Sequence, residues 1–199
     1  MRRIDIEYLL AAYMICLPIQ AQAPAWRGDP EAALLLEQDL QAAAHSTETF
    51  GDLPSGPWSI HLHTSDAMFE KATGAPPQRF ALWVGETLHL RPIEKLRRRD
   101  IGSILRHELV HRRLSLSRLR PWEEEARSLY AEGHTRPPDS WPPRPAISVQ
   151  DRLDLMLRSG TTASQAWAYA WLRAWIAGKP LPLQPRPKSS GKENWKPDR

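Results

Sequence analysis

Apolar residues recur at every third or fourth position in several stretches of the chain, which is the period of a helix with one buried face. The first stretch begins after Asp29, an expected N-cap that is followed by Pro30, and another begins after Asp100. Shorter stretches of the same period follow towards the C-terminus. We therefore predict helices after both aspartates and three more over residues 121–133, 148–159 and 161–177.

Strict alternation of apolar and polar residues marks a second kind of segment. In "WSIHLHT", residues 58–64, Ile60 and Leu62 face one side of an extended chain, while His61 and His63 face the other. Alternation over this length is typical of a half-buried strand. The segment is therefore predicted to be a strand of a sheet.

A hairpin and a short helix complete the predicted fold. "RFALWV" and "TLHL" flank Gly85 and Glu86, and a two-residue connection that begins with glycine predicts a tight β-hairpin turn. Ser65 and Gly74 are the expected cap and stop of a short helix between the strands. Together these patterns predict an α+β fold, with a small N-terminal sheet within residues 58–90 over a helix and a mostly helical C-terminal half.

The two ends of the chain differ from the middle in composition. Arg2 and Arg3 precede the apolar run "YLLAAYMICLPI", and "AQA" follows, which is typical of a secretory signal peptide over residues 1–23. An ordinary first helix is the alternative. Residues 181–199 are rich in proline, lysine and serine, which predicts a disordered basic tail. Residues 24–180 are left as one domain of a secreted or periplasmic bacterial protein, and they contain no cysteine.

The stretch "SILRHELVHRRLS", residues 103–115, contains the pattern H-E-x-x-H within a segment of helical period. Since His107 and His111 are four residues apart, they lie one turn apart on one helix face and can present both imidazoles to a single Zn²⁺ ion. Glu108 is rotated by about 100° from His107, which places its carboxylate beside the ion as a general base for a zinc-bound water. The alternative interpretation is a solvated basic helix with two incidental histidines.

A third ligand is expected from "PWEEEAR", residues 121–127, where three glutamates follow one another. Consecutive helical residues point in different directions, so only one or two of them can reach the metal. Glu125 is chosen because it lies deepest in the helix and precedes Ala126, whose small side chain leaves room for close approach. Glu123 and Glu124 are assigned to compensation of the helix dipole at its N-terminus.

These segments resemble the Peptidase MA-like branch of the gluzincin metallopeptidases. That family typically reads H-E-x-x-H and then P-x-W-x-x-E-G-x-A, and "ILRHELVHRRL" with "RPWEEEARSLYAEG" is similar to it. Looser likeness in "WSIHLHTSDAMFEKATGAPP", "ALWVGETLHLRP" and "AWAYAWLRAWI" extends the resemblance over about residues 56–177. It implies a zincin-like fold and the same third ligand, Glu125.

Tyr169 lies in "AWAYAWLRAW", where the resemblance also places a tyrosine. A phenol beside the metal would donate a hydrogen bond to a developing oxyanion, so Tyr169 is predicted to be a second catalytic residue. A packed helical tyrosine is the alternative. Trp167, Trp171 and Trp175 recur every four residues around it and are expected to pack in the core against the zinc helix.

Three histidines lie on the predicted strands. His61 and His63 share one side of a strand, and His89 lies in the hairpin. Exposed strand histidines are common, and two or three of them do not by themselves define a site. We therefore expect none of the three to be a metal ligand.

Positive charge surrounds the predicted zinc helix, and the chain has a formal net charge of +4. Basic helices bind phosphate, so a cytoplasmic nucleic-acid-binding protein is one alternative. The signal-like N-terminus and the lack of a recognised nucleic-acid motif argue against it. We therefore expect no nucleic-acid partner and no transmembrane segment in the mature chain. The arginines concerned are Arg106, Arg112, Arg113, Arg118 and Arg120.

The patterns together predict an exported zinc-dependent metallopeptidase that hydrolyses bonds in a peptide or protein substrate. In this hypothesis His107, His111 and Glu125 bind Zn²⁺, and Glu108 activates the water. The alternative is a catalytically inactive, metal-stabilised binding or scaffold module of the cell envelope. Its motivation is Ala126, which stands where the family usually has glycine, together with the small size of the chain.

Overall fold

The computed structural model of the protein describes residues 23–159 and 162–182. The predicted signal peptide, apart from its last residue, and most of the predicted tail lie outside these residues. The described residues divide into two compact units, and the boundary lies between Asp139 and Ser140. Within the described part, no helix combines the length and the apolar character needed to cross a membrane.

The first unit has a small mixed sheet with the strand order β1-β2-β4-β3. Its strands are β1 (Ala25–Gly28), β2 (Ser59–Leu62), β3 (Ala81–Val84) and β4 (Thr87–Leu90). β1 pairs with β2 and β2 with β4 in parallel, whereas β3 and β4 form an antiparallel hairpin. The predicted β2 and hairpin are confirmed, and the α+β class with them.

β1 was not predicted, because its four mostly exposed residues show no alternation of apolar and polar positions. Its last residue, Gly28, has φ +103, and a Cβ there would lie 2.2 Å from the carbonyl oxygen of Leu62. Only glycine permits this close approach of two backbones. Gly28 therefore allows the end of β1 to pair with β2.

Seven helices occupy the described residues. Those of the first unit are α1 (Pro30–Ser46), α2 (Asp66–Thr73), α3 (Ile93–Leu96), α4 (Ile101–Leu114) and α5 (Pro121–Ala131), and those of the second are α6 (Ile147–Ser159) and α7 (Thr162–Ile176). The predicted caps are confirmed. The side chain of Asp29 accepts hydrogen bonds from backbone N–H groups of α1, Ser65 caps α2, and Asp100 caps α4.

The core of the first unit lies between one face of the sheet and helices α1 and α4. Ile60, Leu62, Leu88 and Leu90 form that face and are at most 2% exposed. Burial of one such side chain stabilises the fold by about 1.5–3 kcal/mol. The core also contains Leu105 and Leu109 of α4, together with apolar residues of α1. Packing on this side leaves the neighbouring face of α4 to contact α5.

The β3–β4 hairpin lies beside α4. Gly85 begins the predicted two-residue turn with φ +57, a left-handed conformation that glycine adopts without strain. The indole N–H of Trp83 donates a 2.8 Å hydrogen bond to the backbone carbonyl of Glu108. This contact fixes β3, an edge strand of the sheet, against the helix that carries the H-E-x-x-H pattern.

The second unit contains the helix pair α6 and α7, whose bounds lie within one residue of those predicted. Trp171 and Trp175 are buried and Trp167 is half-buried, so the expected burial is confirmed for the first two, while packing against the zinc helix stays a prediction. The indole N–H of Trp175 donates to the carbonyl of Pro143, and its ring stacks on Trp141. These contacts hold the preceding proline-rich segment against α7.

Candidate metal centre

Helices α4 and α5 bring the three predicted ligands together. Nε2 of His107 and Nε2 of His111 are 3.1 Å apart. Oε1 of Glu125 lies 3.4 Å from Nε2 of His107, and Oε2 lies 3.4 Å from Nε2 of His111. We refer to His107, His111 and Glu125 as the helical centre. The structure thus places the H-E-x-x-H histidines and the chosen glutamate around one point.

The spacing of these donors fits a tetrahedral zinc ion. Ligand bonds of about 2.0–2.1 Å at tetrahedral angles separate two donor atoms by about 3.3 Å. Oε1 of Glu125 is buried, and no hydrogen-bond donor of the described residues reaches it. Buried carboxylate oxygens normally have a partner. The distances and this unsatisfied oxygen are both what a bound cation would account for.

Two further glutamates bind the ring nitrogens that face away from the centre. Nδ1 of His111 donates to Oε1 of Glu124 over 2.8 Å, and Nδ1 of His107 donates to Oε1 of Glu132 over 3.0 Å. Carboxylates in this position fix the tautomer of a ligating histidine, so that Nε2 carries the lone pair that faces the metal. Both rings are therefore oriented before any ion binds.

These contacts add to the sequence interpretation of α5. Glu123 and Glu124 both lie in its first turn, where their charge complements the helix dipole as predicted. Glu124 also accepts the Nδ1–H of His111, which the sequence did not predict, and Glu123 accepts the backbone N–H of Arg120. Glu132 was not considered. Its position seven residues after Glu125 places it two turns further on the same face, which is the signal that could have found it.

The protonation of the helical centre reflects its negative surroundings. Burial opposes a charged His111, but hydrogen bonds to Glu124 and Glu125 prevail and raise its pKa to about 10. Burial likewise opposes ionisation of Glu125, yet its hydrogen bond to His111 and the charge of that ring lower its pKa to about 2. In the absence of a metal, a proton thus occupies the position between imidazole and carboxylate that a cation would take.

Glu108 lies beside the helical centre and lines a cavity of about 270 Å³. It is only 6% exposed, yet its carboxylate accepts no hydrogen bond from any described residue. A general base needs this arrangement, because its oxygens must be available to water or substrate. The cavity is lined from the hairpin side by Arg79, Leu82, Trp83 and Gly85, and from the helices by Glu108, His111, Arg112, Ser115, Glu124 and Glu125.

Three of the arginines around α4 turn inward. Arg106 donates to the backbone carbonyls of Ala131 and Glu132, and Arg113 donates to three oxygens between residues 44 and 51. Arg112 pairs with Glu86 and lies over the ring of Trp83. These guanidinium groups tie α4 to its neighbours, which makes them poor candidates for a phosphate-binding surface. Arg106 also fixes the backbone that carries Glu132.

Tyr169 lies half-buried on α7, in the second unit. The predicted ligands and Glu108 all belong to the first unit. The role of Tyr169 as a donor to an oxyanion therefore stays a prediction.

A second group of imidazoles lies on the sheet and comprises His61, His63 and His89, which we call the sheet cluster. One nitrogen from each ring lies within 4.8 Å of the others. The expectation that these residues are exposed is wrong for His63, which is 3% exposed, and the other two are half-buried. Only the register between β2 and β4 brings the three rings together, and the pattern of a single strand does not contain that register.

Comparisons of the chain with models of protein families, with curated proteins and with solved structures found no significant match. The resemblance to the gluzincin peptidases therefore rests on the quoted motifs alone. The helical centre, Glu108 and the cavity beside them are the features of the structure that bear on function.

Proposed function

We propose that the protein is a zinc-dependent metallopeptidase in which His107, His111 and Glu125 hold Zn²⁺. The observation that carries the proposal is the set of donor distances, 3.1, 3.4 and 3.4 Å, around one point. The carboxylates that fix both Nδ1 atoms support it further, because histidine ligands of zinc usually have such partners. A zincin-like fold is part of this proposal.

Zinc, when bound, would supply Lewis acidity to a water molecule and to a substrate carbonyl. Glu108 would take a proton from that water and deliver it to the leaving amine. Its position supports this role, since it follows His107 directly on α4 and lines the cavity. Arg112 also lines this cavity, and its ion pair with Glu86 holds α4 against the hairpin on the other side.

The β3 strand gives the proposed cleft its second wall. Leu82 and Trp83 line the cavity, and β3 lies at one end of the strand order. An edge strand offers backbone hydrogen bonds to an extended chain, and alternate side chains then provide pockets. A peptide in extended conformation is therefore the substrate that this cleft would suit best.

Glu108→Gln tests the catalytic part of the proposal. The variant should retain the zinc of the helical centre and should lose peptidase turnover by about 10²–10⁴-fold, because only the proton transfer is removed. Zinc is measured by elemental analysis and turnover by digestion of a peptide library. Glu123→Gln is the matched control, since Glu123 lies on α5 and contacts neither histidine. Full turnover in Glu108→Gln would contradict the proposal.

A non-catalytic role is the second candidate, and the position of the centre favours it. The donors lie between α4 and α5, so an ion there would join two helices whether or not any reaction follows. A scaffold would keep its cellular function in Glu108→Gln and lose it in His107→Ala. A peptidase would lose its function in both variants, so the same pair of proteins separates the two roles.

Export is also part of the proposal and is supported by the two arginines and the apolar run at the N-terminus. A secreted or periplasmic location predicts that the mature chain begins near residue 22 or 24. Sequencing the N-terminus of the protein recovered from the periplasm tests this. An intact Met1 in the cytoplasmic fraction would contradict it.

A further inference from the structure

Strand register brings three histidine side chains to one face of the sheet. His61 lies directly opposite His89 in the parallel β2–β4 pair. His63 lies two residues beyond His61 and therefore projects from the same face. The intervening Leu62 and its partner Leu90 point into the core on the opposite face. The sheet cluster thus lies on the face of the sheet opposite the core.

The rings of the sheet cluster are in direct contact. Nε2 of His63 lies 2.9 Å from Nδ1 of His89. The ring of His61 stacks on that of His63 with centroids 4.1 Å apart, and the ring of His89 stacks on His63 at 5.2 Å. In the hydrogen-bonded pair one nitrogen donates and the other offers a lone pair. A cation that displaced the shared proton would find both lone pairs directed towards it.

The buried ring of His63 has a polar atom that no neighbouring group satisfies. The side chain is buried against the edge of Phe69, and its Nδ1 has no hydrogen-bond partner among the described residues. Likewise, no carboxylate of the described chain forms an ion pair with any of the three histidines. Stacking three imidazoles without an acidic partner is unfavourable if the rings are protonated. Neutral rings with lone pairs to share are the form that ligates metals.

We propose that His61, His63 and His89 form a second metal site, which binds a divalent transition-metal ion such as Zn²⁺ or Ni²⁺. Imidazole nitrogens suit these ions, whereas Mg²⁺ and Ca²⁺ require oxygen ligands. Three histidines are a sufficient protein contribution, with water as the fourth ligand. His61 and His89 are half-buried rather than buried, so the ion and its water are reachable from solvent.

An ion at the sheet cluster would link β2 to β4 from the face opposite the core. Donor atoms of a nitrogen-ligated ion lie about 3–3.5 Å apart, so the partly exposed rings need only rotate to close the present spacing of up to 4.8 Å. The inference goes beyond the proposed peptidase, because it needs neither Glu108 nor the cavity. A chain that is inactive on peptides could still bind two ions.

Zinc counting with paired variants tests the second site. Full-length protein is saturated with Zn²⁺, freed of loosely bound ions by gel filtration and assayed by elemental analysis. The wild type should carry two zinc ions per chain. His61→Ala/His89→Ala should carry one, as should His107→Ala/His111→Ala, and the combination of all four substitutions should carry none. His45→Ala/His134→Ala removes two exposed histidines outside both groups and should leave the count at two.

Equal zinc counts in the wild type and in His61→Ala/His89→Ala would overturn the inference, as would loss of all zinc in His107→Ala/His111→Ala. Circular dichroism establishes that each variant is folded. If the double alanine variant does not fold, His89→Gln keeps the size of the side chain and should still lower the count to one. An excess of Mg²⁺ should displace nothing from the sheet cluster. Loss of peptidase activity alone bears only on the proposed function.

Discussion

The helical centre and the sheet cluster each bring three ligand side chains together, but the fold holds them in different ways. In the helical centre, Glu124 and Glu132 each accept the Nδ1–H of a ligand histidine. In the sheet cluster the rings contact one another and Phe69. A ring held by a carboxylate keeps one tautomer and one orientation. The helical centre is therefore prepared for one geometry, whereas the sheet cluster has to rearrange.

The two sites also differ in charge. Glu108, Glu124, Glu125 and Glu132 surround the imidazoles of the helical centre. The sheet cluster has no ion-paired carboxylate within the described residues. A divalent cation is attracted to the first site by charge as well as by lone pairs, and to the second by lone pairs alone. The comparison predicts tighter and more specific binding at the helical centre.

The largest expected effect is on peptidase activity when one site or the other is removed. His111→Ala should abolish zinc binding at the helical centre. Its kcat/KM should fall at least as far as in Glu108→Gln, by about 10²–10⁴-fold. His61→Ala should leave kcat/KM within about twofold of the wild type, since the sheet cluster has no part in the reaction. Digestion of one peptide by both variants measures this. Equal losses in both would show that the two sites are not independent.

The second-largest expected effect is on zinc affinity when the carboxylate that accepts the Nδ1–H of His111 is removed. Glu124→Gln should weaken zinc binding at the helical centre by about 10–100-fold, because His111 loses a charged partner that fixes its tautomer. Competition with a chromogenic chelator measures the affinity. Glu123→Gln, one residue away on α5, serves as control and should change the affinity little. The same affinity for both variants would mean that the Nδ1 contact does not prepare the ligand.

The helical centre is predictable from the sequence because most of it is local. A spacing of four residues on a helix is enough to place His107 and His111 on one face, and Glu125 follows on the next helix of the chain. The contact between Glu124 and His111 was not predicted, because the rotation of α5 relative to α4 decides which of three glutamates faces which ring. That rotation depends on packing of Trp122 and Ala126, both buried, and no local pattern contains it.

The sheet cluster was missed for a related physical reason. His61 and His89 are 28 residues apart in the sequence, and they meet only because β2 pairs with β4 rather than with β3. The alternation in "WSIHLHT" predicted which side the histidines face, and this is confirmed. What lies on that side depends on strand order, on register and on α2 above it, so exposure was the wrong inference for His63.

The zinc affinities of the two sites should depend differently on pH. The affinity of the helical centre should rise by about tenfold per pH unit relative to that of the sheet cluster. The raised pKa of His111 means that its proton must leave when metal binds, so zinc affinity at the helical centre should rise with pH between about 6.5 and 10. Burial, and then the neighbouring His61 and His89, lower the pKa of His63 to about 4, so that ring is already neutral throughout this range.

Zinc titrations of the two double alanine variants at about pH 7.5 and 9 measure the slopes separately. The variant that retains the helical centre should bind more tightly at the higher pH, and the variant that retains the sheet cluster should change less. The same proton also affects folding. Because the folded-state pKa of His111 is raised, its contribution to the stability of the metal-free protein is present below pH 6.5 and is lost as the pH rises towards 10. Parallel slopes for the two variants would contradict this difference.

The smallest effect concerns the helix that covers the sheet cluster. Arg91 of the segment after β4 lies over Phe69 and pairs with Asp66 and Glu70 of α2. Asp66→Asn should lower the free energy of unfolding by about 0.2–1 kcal/mol, because Asp66 is 38% exposed and solvent weakens the pair. Asp139→Asn, at an exposed aspartate without an ion pair in the described chain, should change it less.

Asp66→Asn should also affect the sheet cluster and the helical centre differently. The Arg91 guanidinium holds the pKa of Asp66 below its ordinary value of 3.8, so its stabilising effect is present above that pH and is lost as the pH falls through the lower folded-state value. The stability difference between wild type and Asp66→Asn should therefore vanish in strong acid. At neutral pH the variant should weaken zinc binding slightly at the sheet cluster, where Phe69 packs on His63, and leave the helical centre unchanged. An effect on the helical centre of equal size would mean that α2 supports both sites, and the two regions would then have to be regarded as one.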